Sequence, residues 1–114
     1  MKRGVAERLD ELGSRYSLPA SAVEQLSRLL AALAVEADPP TTVRDPAAAV
    51  DVHIADSLSG LEIDVLRSAR RIADLGSGAG FPGLPLAIAL PDSAVHLVES
   101  SRRKCEAIER LATA

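Results

Sequence analysis

The stretch Asp74-Leu75-Gly76-Ser77-Gly78-Ala79-Gly80-Phe81-Pro82-Gly83 constrains this chain more than any other. An apolar run, Arg71-Ile72-Ala73, leads into it, and a second, Leu84 to Leu90, leads out. A buried strand that breaks into glycines and then a helix is how α/β proteins hold a nucleotide-like ligand. Glycine lets the backbone turn tightly and approach a ligand without a Cβ clash. The helix that follows offers unpaired N–H groups and the positive end of its dipole. Downstream, Ala94-Val95-His96-Leu97-Val98-Glu99 reads as an apolar strand ending in a carboxylate. A carboxylate there can accept both hydroxyls of a ribose. Together the two features predict a Rossmann-like α/β site for a nucleoside-bearing cofactor.

Two readings share the glycines. Gly78 to Gly83 fits G-x-G-x-x-G, the dinucleotide fingerprint of an NAD-binding oxidoreductase, with Glu99 at a suitable distance. Gly76 to Gly80 fits G-x-G-x-G, the loop of S-adenosylmethionine-dependent methyltransferases, in which an acidic residue just ahead of the first glycine helps hold the methionine; Asp74 has that place. Pro82 and Pro85 remove N–H donors where a pyrophosphate would need them. That favours the second reading, since a sulfonium cofactor has no phosphate. A plain glycine turn without a ligand is the third possibility.

The pattern upstream is helical. Val5, Leu9, Leu12 and Tyr16 fall at helical spacing. Ser21-Ala22-Val23-Glu24 has the form of a capping box, starting a second helix with an apolar stripe of Leu26, Leu29, Leu30 and Leu33 that ends before Asp38-Pro39-Pro40. Asp45 as N-cap and Pro46 at the first helical position begin a third, through Val50, Ile54 and Leu58 to a stop at Gly60. Residues 61–68 make a short helix or turn. Strand, glycine loop, helix, strand and helix follow, the last from about Ser101. The expected division is therefore a helical N-terminal cap, 1–68, and the start of a cofactor-binding domain, 69–114. A parallel sheet buries both faces and needs neighbouring strands. These strands are only a fraction of one, so the chain is expected to be a piece of a longer α/β protein.

Composition narrows the classes. Apolar residues make up 47% of the 114, but Tyr16 and Phe81 are the only aromatics, so the core must be aliphatic. Cys105 alone forms no intramolecular disulfide and suits a reducing compartment. Cys105, His53 and His96 have no familiar metal spacing, so no metal is expected. No apolar run is long enough for a membrane, and no signal peptide stands at the start; the default is cytoplasmic. A net charge of −3 leaves no overall basic footprint. The basic clusters Arg67, Arg70, Arg71 and Arg102, Arg103, Lys104 read first as solvated surface, and second as phosphate contacts.

The wording of the loop through Leu84-Pro85-Leu86-Ala87 resembles the glucose-inhibited division protein B family, the small-subunit ribosomal RNA methyltransferases G. Thr42-Val43-Arg44-Asp45-Pro46, His53-Ile54-Ala55-Asp56-Ser57-Leu58 and Val98 to Cys105 agree in order and spacing, so the resemblance covers roughly 20–114. Two positions depart from it: Val52 stands where the family has arginine, and Asp38-Pro39-Pro40-Thr41-Thr42 where it has a Tyr-Asn-Leu-Thr-like stretch. The resemblance implies S-adenosylmethionine as cofactor, N7 of a guanine in 16S rRNA as methyl acceptor, and the small ribosomal subunit as partner. It implies further strands that carry adenine contacts and most of the RNA surface.

On this reading Asp74, Gly76, Ser77, Gly78, Gly80, Phe81 and Glu99 bind the cofactor, and no catalytic residue is assigned. Gly76, Gly78 and Gly80 pass under methionine and ribose, and Glu99 takes the ribose. Phe81 shields the cofactor, orients the loop or serves the core. Asp74 is either a methionine ligand or an acceptor for loop N–H groups. His53, Asp56 and Ser57, on one helix, cannot all aim at one reacting atom; they fix the cap to the loop or touch RNA. His96 is a packed or edge residue and Cys105 a helix-face residue. A non-enzymatic module that binds a partner protein or rRNA is the alternative from another class.

Overall fold

The structure, a computed structural model, describes residues 3–36 and 41–114. Asp38, Pro39 and Pro40 of the departing stretch lie outside the described residues; the second helix stops before them, as expected, at Val35, where the Glu36 N–H donates to Leu33 O. Helix α1 (Arg3–Arg15) buries Val5, Leu9 and Leu12, and Tyr16 just past its end completes the stripe the spacing predicts. It ends in a Schellman arrangement: Ser17 takes φ +51°, its N–H donates to Ser14 O, and the Leu18 N–H donates to Gly13 O. Helix α2 (Ala22–Val35) crosses it closely, and a Cβ on Gly13 would stand 2.9 Å from Val23 Cγ2. The capping box does not form. Ser21 is itself helical (φ −84°, ψ −9°) rather than in the extended geometry of an N-cap, and its side chain caps nothing.

Asp45 does cap as expected, accepting from the Ala48 N–H at 3.3 Å, with Pro46 at the first turn. The third helix is not one regular helix. It runs as α3 (Pro46–Ala49), a π-helical turn Val50–Ala55, α4 (Asp56–Leu58) and a 3₁₀ turn Ser59–Glu62, so it passes Gly60 before stopping. A short α5 (Asp64–Arg67) follows.

Strand β1 (Arg71–Leu75) leads through the glycine loop into α6 (Gly83–Ala89), then β2 (Ala94–Val98) and α7 (Arg102–Thr113). β1 and β2 pair in parallel, Ile72 opposite Val95 and Asp74 opposite Leu97, in a two-stranded sheet. Because side chains alternate along a strand, those four share the face that packs on the helices. Leu75 and Val98 share the other, where they are 77% and 51% exposed. A single apolar cluster joins the upstream helices to Leu84, Leu86, Ile108 and Leu111. Polar ties reinforce it. Arg110 forks onto the buried Glu36 carboxylate (Nη2 to Oε1, 2.7 Å), Arg67 donates to Tyr16 O at 2.7 Å, and Arg44 donates to the Ala34 and Glu36 carbonyls at the end of α2.

Candidate functional site

Two parallel strands end side by side at Leu75 and Val98, and the loop leaving the first is drawn over the second. The Gly76 and Ser77 N–H groups both donate to Val98 O, at 2.8 and 3.1 Å. Gly76, Gly78 and Gly80 then take φ of +71°, +58° and +96°, a left-handed path that only glycine follows without strain. They are not equivalent. A Cβ on Gly76 would meet nothing within 4 Å, and one on Gly78 only Gly76 O at 3.9 Å. A Cβ on Gly80 would strike Leu84 Cδ1 at 2.7 Å. The first two therefore border open space and the third abuts the core.

Glu99 closes the arrangement. Its Oε1 accepts from the Gly78 N–H at 2.8 Å and its Oε2 from the Ser101 N–H at 2.9 Å. These two donors, Ser101 first, hold its pKa below the ordinary glutamate range, and the nearby Lys104 ammonium adds to the effect. The group is ionised, and each oxygen keeps a lone pair for a further donor. The Cys105 thiol, 3.1 Å from Glu99 O, helps seat the residue.

The remaining residues singled out in the sequence brace the loop. Asp74 Oδ2 accepts from the Gly83 N–H at 3.1 Å, which is the loop-acceptor role among the two open to it. The Ser77 hydroxyl is buried and donates to Asp74 O at 3.0 Å. The Phe81 ring stacks on His53, centroids 4.4 Å apart and planes 8° from parallel. His53 Nε2 in turn lies 2.9 Å from Val43 O and 3.5 Å from Thr41 Oγ1. The π-helical turn thus reaches the loop through one ring pair. Ser57 bonds only back to the His53 carbonyl, and Asp56 stays exposed. His96 is exposed on the outer face of the sheet.

Gly83, not among the expected contacts, has a packing duty. A Cβ there would stand 2.6 Å from Leu97 Cγ and 2.9 Å from Asp74 Oδ2. Its place as last glycine of G-x-G-x-x-G was the available signal, since that position serves helix–strand approach. No spacing signal marked the His53–Phe81 pair, whose members lie on different elements.

The donors at the start of α6 are all engaged or missing. Gly83 N–H is held by Asp74, Leu84 N–H by Gly80 O and Leu86 N–H by Pro82 O, while Pro85 has none. Among the described residues, no group of three or more His, Cys, Asp or Glu side chains could hold a metal, and no helix is long and apolar enough to cross a membrane.

Residues 21–114 match the family model described as GidB, rRNA small subunit methyltransferase G. This chain belongs to that family. Relatives named ribosomal RNA small subunit methyltransferase G include one from Sorangium cellulosum, 42% identical over 104 residues that cover 89% of this chain and 43% of the relative. One from Rubrobacter xylanophilus is 46% identical over 63 residues, 55% of this chain and 24% of the relative. One from Mycobacterium sp. (strain JLS) is 52% identical over 56 residues, 49% and 24% respectively. The chain spans less than half the length of these methyltransferase G relatives.

Proposed function

We propose that this chain is the cofactor-loop part of an S-adenosylmethionine-dependent rRNA methyltransferase that acts on N7 of a guanine in 16S rRNA, with the small ribosomal subunit as partner and the cytoplasm as its place of work. The helical cap, 1–68, precedes the start of a Rossmann-like cofactor-binding unit, 69–114. One observation carries the reading: the ionised Glu99 carboxylate is joined to the glycine turn through the Gly78 N–H, beside a stretch of backbone open where Cβ atoms would stand. A side chain at Gly76 or Gly78 would fill that cradle.

Gly76 and Gly78 would lie against the methionine and ribose of the cofactor, and Glu99 would accept the ribose hydroxyls with its remaining lone pairs. Asp74, Ser77, Gly80 and Phe81 act by holding the loop in shape. The cofactor supplies a methyl group already activated on a sulfonium. The protein's own task is to hold N7 in line with it, a matter of proximity and orientation. N7 carries no proton, so no general base is needed.

A dinucleotide is the weaker candidate because the N–H groups that would greet its pyrophosphate are engaged at the start of α6. Calorimetric titration of the chain with S-adenosylhomocysteine and with NAD separates the two. The first should bind and the second should not, and Glu99→Ala should weaken binding about ten-fold or more, as expected for lost bonds to a charged group. Preference for NAD, or binding of neither, overturns the reading.

A further inference from the structure

Between the π-helical turn and the glycine loop lies a cavity of about 470 Å³ that the cofactor reading leaves unused. It falls within the roughly 300–1,000 Å³ of small-ligand sites. Val52, Leu66, Phe81 and Pro82 give it apolar and aromatic walls, and Asp56 is the one carboxylate in its lining. The other polar groups there are occupied. Ser57 donates to the His53 carbonyl, Ser59 to the Asp56 carbonyl, and the His53 ring faces Val43 O. The Asp56 carboxylate has no donor or cation beside it among the described residues. An unengaged charge beside a preformed stack of parallel rings is a recognition element for a flat, hydrogen-bond-donating ligand.

We infer that this cavity receives the substrate base itself: a guanine stacked on the His53–Phe81 pair, with Asp56 accepting from its N1–H and exocyclic N2–H. Enzymes that modify a base take it out of the nucleic-acid stack into a pocket and read its Watson–Crick edge. Guanine presents two adjacent donors on that edge, matched to the two oxygens of one carboxylate. Adenine presents the N1 lone pair there and is repelled; hypoxanthine keeps N1–H but lacks the amine. Reading that edge also leaves N7, on the opposite side of the ring, free to be methylated. The inference rests on the guanine-N7 function proposed above and adds the residues that would choose the base.

The chain has one Phe and two His, so their ring resonances are readily told apart by NMR. With S-adenosylhomocysteine present, guanosine monophosphate should shift the Phe81 and His53 rings. Inosine monophosphate should bind about ten-fold more weakly for want of one hydrogen bond, and adenosine monophosphate should leave the rings unmoved. Asp56→Asn should abolish the guanine preference while sparing the Gly76 and Gly78 amide shifts caused by S-adenosylhomocysteine alone. Those amide shifts report the cofactor reading by themselves. If they occur and the three nucleotides act alike, or none moves the rings, or Asp56→Asn keeps the preference, the base pocket is wrong.

Discussion

The helices before Arg67 and the strands after it bury their apolar residues very differently. Leu26, Leu30, Leu33, Ile54 and Leu58 are wholly enclosed, in a core that the upstream helices share with α6 and α7. The sheet is covered on one face: α6 packs against Leu97 there, while Leu75 and Val98 lie open on the other. Burial is the larger source of stabilisation, roughly 1.5–3 kcal/mol for each enclosed leucine. The glycine loop is held mainly by directed bonds, Asp74 to Gly83, Ser77 to Asp74 and Glu99 to Gly78. Stability therefore resides in the helices, and the candidate site is hung from them through a shared core and the His53–Phe81 stack.

The sharpest way to break that contrast is a pair of truncations. Leu30→Ala should cost about 2–5 kcal/mol in chemical denaturation, as fully buried leucines do. Leu75→Ala, on the open face, should stay within about 0.5 kcal/mol. Comparable losses would mean that the sheet carries as much of the fold as the helices.

A smaller effect is expected at the junction of loop and helix. Gly83→Ala forces a methyl against Leu97 and the Asp74 carboxylate, an overpacking that should cost about 1–3 kcal/mol. Since Asp74 would be pushed from its loop bond, S-adenosylhomocysteine affinity should fall as well. Unchanged affinity would show that the loop keeps its shape without Asp74.

The smallest effect concerns pH. The folded state holds Glu99 below its ordinary pKa, so its carboxylate stabilises the loop above the usual glutamate value of about 4.3. That contribution fades as pH falls through the depressed value, because the unfolded chain takes up its proton first. Melting curves across the acid range should therefore show a shallower decline for Glu99→Gln than for the wild type. Parallel curves would show that the carboxylate does not support the turn.

Much of this was legible in the residues. Strand, glycines, helix and strand follow from apolar runs and turn chemistry, and α1 and the Asp45–Pro46 start follow from spacing and capping. Elsewhere a neighbour overruled the local signal. Ser21 carries a capping sequence, but a turn beginning at Pro19, with the Ala22 N–H on Pro19 O, leaves Ser21 in helical rather than N-cap geometry. The helix through His53 has an ordinary apolar period, yet it widens into a π-helical turn where His53 meets Phe81.

The order of elements, the glycine path and the carboxylate after the second strand are properties of the sequence alone, because they depend on each residue's own backbone freedom and charge. Which of those residues border open space was decided only in three dimensions. Gly76 and Gly78 do, whereas Gly80 abuts Leu84, Ser77 and Asp74 are bonded within the loop, and Phe81 stacks one face on His53, because that depends on what the fold places opposite each one.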